Sequence, residues 1–249
     1  MTAEVRSARL AAWGTAFLDG RASLDEATLR IAAGDRGHDV IGLPGVDGPL
    51  ALTLALGWLR RNGVGGLRLV LPVPGDPGGL VGPPALTSGA VAAGEAALTS
   101  GGPAYGLVPQ VAGNHVVWRA QPAEAELLVV TSLGEAERML TETLLECTDA
   151  LNALDVAALT PERAEALERY RDEDRRGGAA LPPGYPPRAA RVLAMADRLT
   201  AITELAGQDD GAALSGTRAD QRRALLASVS AAARHARIAA YNAVLEPTR

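Results

Sequence analysis

Lysine is absent: all 24 basic residues of this 249-residue chain are arginine. That excludes chemistry that needs a lysine amine, from Schiff bases and pyridoxal phosphate attachment to the phosphate-binding lysine of a Walker A loop. Cysteine occurs once, at Cys147, which excludes an internal disulfide framework and a cysteine-rich zinc site. Aromatic residues make up only 3% of a chain that is 47% apolar, so the core must be built from Leu, Ala and Val, a mixture that favours helix. A single site choosing Arg for its bidentate fork would not clear lysine from the whole chain. With isoleucine also scarce and Ala, Gly and Pro abundant, the bias reads as that of a GC-rich genome.

Positive charge is in deficit, with a net charge of −5 at pH 7, so the overall field gives no reason to expect a polyanionic partner or an anionic membrane surface. No segment approaches the roughly 20 consecutive apolar residues of a membrane span. The N-terminal stretch alternates charged with apolar residues and lacks the apolar core of a signal peptide, so the cytosol is the expected compartment.

What is present is an organisation in two parts. Apolar residues recur at helical spacing from Val5 to Phe17. Ser23, with Glu26 three residues on, then forms a capping-box pattern that opens a second helix. The period then changes. Residues 38–43 read as a strand, 49–61 as a helix and 67–73 as a strand, a β-α-β unit expected to close by a right-handed parallel crossover. "ALTSGAVAAGEAALTS" reads equally as helix or strand. Residues 105–111 and 115–120 flank the turn "AGN" as an antiparallel hairpin, with Val116 and Trp118 on one face and Val117 and Arg119 on the other.

Beyond Pro122 the helical period takes over. Leu133 to Leu154 carries a long amphipathic pattern, Thr160 with Pro161 starts another helix, and "LPPGYPP" leads into helices over about 188–205 and about 217–245. The fold class that follows is mixed α+β: a small α/β N-terminal half with a β-α-β unit and a hairpin, then an antiparallel helical half. The division is drawn at 1–122 and 123–249.

No complete catalytic triad, metal cluster or dinucleotide fingerprint is present, and whether the chain is an enzyme stays open. The candidate ligand-binding residues lie in two loops and at two histidines. Gly45 and Asp47, in "GLPGVDGPL", lie between a strand and a helix, where backbone amides would face an anion, although Asp47 would itself cap the helix. Gly75, Asp76 and Gly78, in "PVPGDPGGL", follow a strand end, where a carboxylate could orient a ligand or simply close an Asx turn. His38 and His115 stand at strand starts, where polar strand-end roles compete with roles in a site, and His235 lies on the last helix. None of the three is at metal-ligand spacing, and no metal or cofactor is expected. Cys147 reads as a small core residue. The arginines after residue 216 form the one basic region, facing an acidic stretch from Glu162 to Asp174 with which helix pairing would suffice.

The segments "LVLPVPGDPGGL", "LPPGYPPRAARVLAMADRL" and "RHARIAAYNA" together resemble a group of uncharacterised proteins from high-GC actinobacteria. The resemblance spans most of the chain and implies no activity, ligand or site residue. The expected function is therefore that of a non-enzymatic interaction or scaffold protein acting through its helical half, by self-association or with another protein. The alternative is a small-molecule binding protein or enzyme using the loops at 42–48 and 74–80. Nucleic acid and membrane are the disfavoured partners.

Overall fold

The computed structural model describes residues 5–124, 131–153, 181–207 and 216–246. By packing, these fall into a sheet unit, comprising 5–124 with 181–186 and 241–246, and a helical unit comprising 131–153, 187–207 and 216–240. Two short C-terminal segments thus pack with the N-terminal sheet.

The sheet unit opens with α1 (Arg6–Leu18) and α2 (Leu24–Ala32). Every residue from Ser7 to Phe17 is buried, which the small side chains of Ala8, Ala11, Ala12 and Ala16 allow by letting neighbours approach on all sides. Ser23 caps α2 as its spacing predicts, its Oγ accepting from the Glu26 amide at 3.1 Å. Ser23→Ala is expected to lower the unfolding free energy by about 1 kcal/mol, read as a lower denaturant midpoint with an unchanged slope.

Six strands follow, interleaved with two helices: β1 (Gly37–Ile41), β2 (Leu50–Ala51), α3 (Leu52–Arg61), β3 (Gly66–Val70), α4 (Pro84–Ala93), β4 (Ala96–Ser100), β5 (Tyr105–Ala112) and β6 (His115–Pro122). They form one mixed sheet in the order β2-β1-β6-β5-β4-β3. β1 runs parallel to β6, whereas β6, β5, β4 and β3 alternate in direction. The succession strand, helix, strand over 37–70 is present, but the expected parallel crossover is not. β6, β5 and β4 separate β1 from β3, and the two point in opposite directions. The Ala96–Ser100 strand, part of a segment that reads as helix or strand, pairs with both β3 and β5 and so displaces β1 from β3.

The hairpin matches its reading, with Val116 and Trp118 wholly buried, Val117 half-buried and Arg119 exposed. One face of the sheet packs on α1 and α3, where Leu10, Leu56 and Leu107 are buried. On the other, Leu86 and Ala90 of α4 pack against Val70, Leu98 and Val108.

The outer edge of β3 is sealed by side chains. Thr15 of α1 donates its hydroxyl to the Leu67 carbonyl at 3.1 Å and accepts from the Leu67 amide at 2.8 Å. Asn242 does the same two residues on: its Oδ1 accepts from the Leu69 amide at 2.8 Å, and its Nδ2 donates to the Leu69 carbonyl at 3.0 Å. The "LPPGYPP" segment also joins this unit, with Tyr185 donating to the Tyr241 carbonyl and Arg21 to the Pro183 carbonyl.

The helical unit contains α5 (Leu133–Ala153), α6 (Pro187–Gly207) and α7 (Gly216–Asn242), the last entering the sheet unit with its final two residues. Arg222 of α7 donates to the Ala206 carbonyl, and Arg237 pairs with Asp197, so α6 and α7 run antiparallel. α5 meets α6 through Glu137 and Arg188, and α7 through Cys147, whose thiol donates to the Leu225 carbonyl at 3.6 Å. The buried stripe of α7 is Val229, Ala233, Ala236 and Ala240, at coiled-coil spacing with small residues that permit close helix approach. The helix expected from Thr160, the acidic stretch from Glu162 to Asp174, and Arg249 lie outside the described residues.

Candidate functional site

β1 begins with Gly37, His38 and Asp39, and strand alternation sends His38 into the core and Asp39 to the opposite face. Two histidine clusters result, one on each side of the same strand pair.

The inner cluster is closed. The His38 side chain is 1% exposed, and its Nε2 lies 3.1 Å from Oδ2 of Asp35. Trp118 of β6 donates its indole N–H to His38 Nδ1 at 3.2 Å, across the register that sets Val40 beside Trp118. Asp35 in turn accepts two bonds from Arg6, both 2.9 Å, and one from Arg9 at 3.2 Å. The hydrogen bond from Arg6 is the main reason the Asp35 carboxyl is held below the usual carboxylate range, and burial opposes it. Burial pushes the His38 imidazole below the ordinary histidine value, overcoming the pull of Asp35.

A further carboxylate completes this end of the sheet. Val5, at the start of α1, offers no side-chain cap, and Glu95, just before β4, accepts from the Ser7 amide at 2.6 Å instead. Burial raises the Glu95 carboxyl above its ordinary value against the lowering effect of the Ser7 amide.

The outer cluster is open. His115 Nε2 lies 3.0 Å from Asp39 Oδ2, with the side chains 44% and 33% exposed. Gly37 makes room for the ring, since a Cβ there would stand 2.9 Å from His115 Nδ1. An Asp–His pair of this geometry can orient an imidazole and hold a proton.

The loop candidates divide. Asp76 accepts from the Gly78 amide at 3.0 Å, the Asx turn weighed from the sequence. Val73 and Asp76 exchange backbone bonds of 2.8 and 2.9 Å around Pro74 and Gly75, with Gly75 at φ +84°, where a β-carbon would be strained. Gly45 and Asp47 are exposed in the 42–49 loop. Asp47 is not the helix cap: Leu50 and Ala51 pair with β1 as β2, so α3 begins only at Leu52, with Ala51 at its N-cap. The amides at 46–50 therefore do not form the helix N-terminus expected to face an anion.

Nor do the loops converge. The 42–48 loop leaves the carboxyl end of β1 and the 74–80 loop that of β3, and these antiparallel strands put the loops at opposite ends of the sheet, near opposite edges. His38 and His115 stand at the amino ends of their strands, away from Gly45 and Asp47. A cavity under the sheet is lined only by aliphatic side chains, among them Leu10, Val40, Leu52 and Leu56.

In the helical unit, Cys147 is buried and burial raises its thiol pKa. Among the described residues, no group of three or more His, Cys, Asp or Glu side chains is placed to hold a metal. Nor is any helix among them long and apolar enough to cross a membrane. The residues that sequence reasoning missed are Asp35, Arg6, Arg9 and Glu95. The one local signal was the Asp35-to-His38 spacing, which a single tight turn brings into hydrogen-bond reach.

These features define a two-part α+β protein in which Arg6, Arg9 and Thr15 of the first helix bond to the sheet unit. Residues 7–131 match the N-terminal domain, and residues 134–238 the C-terminal domain, of Rv1486c-like proteins, and the chain belongs to that family. It is 31% identical over 281 aligned positions, covering 96% of each chain, to the "Uncharacterized protein Rv1486c" of Mycobacterium tuberculosis strain H37Rv. The "Uncharacterized protein MT1533" of strain CDC 1551 gives the same identity and coverage. No solved structure matches.

Proposed function

We propose that this chain is a non-enzymatic interaction protein that self-associates through α5 of its helical unit. The observation that carries the reading is the exposure of a large apolar side chain on α5, 63% for Leu145. The buried stripe of the helix is narrow, formed by Leu133, Ala136, Leu140 and Cys147. Outside it, Arg138, Glu142, Leu145 and Asp149 recur at the three- and four-residue spacing that shares one helix face.

A second copy is the partner this face suits. A two-fold interface must be self-complementary. Two α5 helices laid antiparallel would set Arg138 of one against Asp149 of the other, with the two Leu145 side chains covered between them. The small-molecule alternative loses its crevice with the separation of the two loops. A nucleic-acid role loses support as well, because Arg222, Arg223 and Arg237 are engaged by the Ala206 carbonyl, Asp220 and Asp197.

Native mass spectrometry of the full chain is expected to show a dimer. Leu145→Glu is expected to weaken self-association by about 10–100-fold while leaving the circular dichroism spectrum unchanged. A wild-type chain that stays monomeric at high concentration would overturn the reading.

A further inference from the structure

We propose that His38 is an acid-operated latch: a proton on its imidazole releases the Trp118 indole that ties β6 to β1 on the buried face of the strand pair. The argument starts from what each neighbour can do. An indole N–H only donates, so His38 Nδ1, 3.2 Å from Trp118 Nε1, must be the unprotonated nitrogen. An Asp35 carboxylate engaged by Arg6 and Arg9 only accepts, so His38 Nε2, 3.1 Å from Oδ2, must carry the hydrogen. Both sides of the ring thus demand one species, the neutral Nε2–H tautomer.

A second proton has no acceptor. It would set an N–H of the ring against the N–H of Trp118, and that bond must break. The added charge also enters a crowded site. The charged groups facing the ring are Asp35, from the turn before β1, and Arg9 and Arg6, from α1, while β6 contributes the uncharged Trp118. That charge would enter a closed site, in which the side chains of His38, Asp35 and Arg9 are each at least nine-tenths buried. The conflict is relieved only if ring and indole part, which opens the buried face of the β1–β6 pair.

The sign follows from linkage. The closed form holds a neutral ring with a lowered pKa and the opened form an ordinary one, so the opened form binds more protons. The closed form is fully favoured above the ordinary histidine value of about 6.5, and opening rises by up to about tenfold per pH unit below it. Glu95, with its raised pKa, acts in the opposite sense, because its proton favours the closed form. His115 bridges the same two strands on the other face and serves as the control.

The test is NMR of the full chain labelled with nitrogen-15 in its imidazole and indole rings, taken from about pH 8 to about pH 5. We expect His38 as the Nε2–H tautomer at the upper end. The protection of the Trp118 indole hydrogen against exchange, corrected for intrinsic rate, is expected to fall by up to about tenfold per pH unit as the pH drops below the histidine range. His115→Gln should keep that dependence, and His38→Gln should abolish it. An Nδ1–H tautomer at the upper end, or a His38 that protonates while Trp118 protection stays constant, would overturn the latch. Both readouts come from the wild-type chain and decide the question even if His38→Gln does not fold.

Discussion

Asp35→Ala is expected to lower the unfolding free energy by about 3–5 kcal/mol, because it removes a buried carboxylate on which Arg6, Arg9 and His38 converge. Arg9 is 6% exposed at its side chain and Asp35 7%, and the guanidiniums of Arg6 and Arg9 converge on that one carboxylate. His38 loses the acceptor for its Nε2 hydrogen in the same step. Asp35→Asn, which keeps the shape and removes the charge, is expected to lose roughly half as much, since an amide oxygen still accepts one or two of the bonds. Denaturant unfolding of both variants at neutral pH measures the difference, and a loss below about 1 kcal/mol for Asp35→Ala would mean that the cluster is solvated rather than buried. The pH dependence has a definite sign. A carboxyl held below its ordinary value contributes stability that is complete above about pH 4 and is lost as the pH falls through the lower value of the folded state.

The parts of this fold that were legible in the sequence are the local ones. The cap at Ser23, the faces of the 115–122 strand and the long helices after residue 132 each follow from residues within a turn or a strand of one another. The order of the sheet does not. β1 and β6 are separated by more than seventy residues and pair in parallel, a long-range choice that no local pattern encodes. Asp47 illustrates how a tertiary demand overrides a local signal. It has the right type for a cap, yet the pairing of Leu50 and Ala51 with β1 delays the helix beyond its reach.

The candidate site was legible in residue type but not in grouping. His38 and His115 look alike in the sequence, each at the start of a strand. Alternation along β1 gives one a buried Trp118 and Asp35 as neighbours and the other a half-exposed Asp39. Arg6 and Arg9 reach Asp35 across the intervening α2, a closure that no spacing rule anticipates. Asp76 is the reverse case, since the Asx turn it forms is wholly local and follows from the residues beside it.

The edge of β3 carries the other large expected effect. Asn242 is 4% exposed and satisfies both the amide and the carbonyl of Leu69, so Asn242→Ala strands two buried backbone groups at once and is expected to cost about 3–4 kcal/mol. Chemistry rather than size should decide the outcome. Asn242→Asp retains an acceptor for the Leu69 amide but sets a carboxylate oxygen against the Leu69 carbonyl, so it should fail to rescue and should recover partly at acid pH, where a protonated carboxyl can donate again. Thr15→Val tests the same principle at Leu67, removing one hydroxyl that both donates and accepts. An edge strand with free backbone groups is a template for a further strand, so these variants should scatter light on heating at lower temperatures than Ser23→Ala, even when compared at equal stability. If Asn242→Ala unfolds like the wild type and remains clear on heating, water satisfies Leu69 as well as the side chain does, and the edge needs no seal.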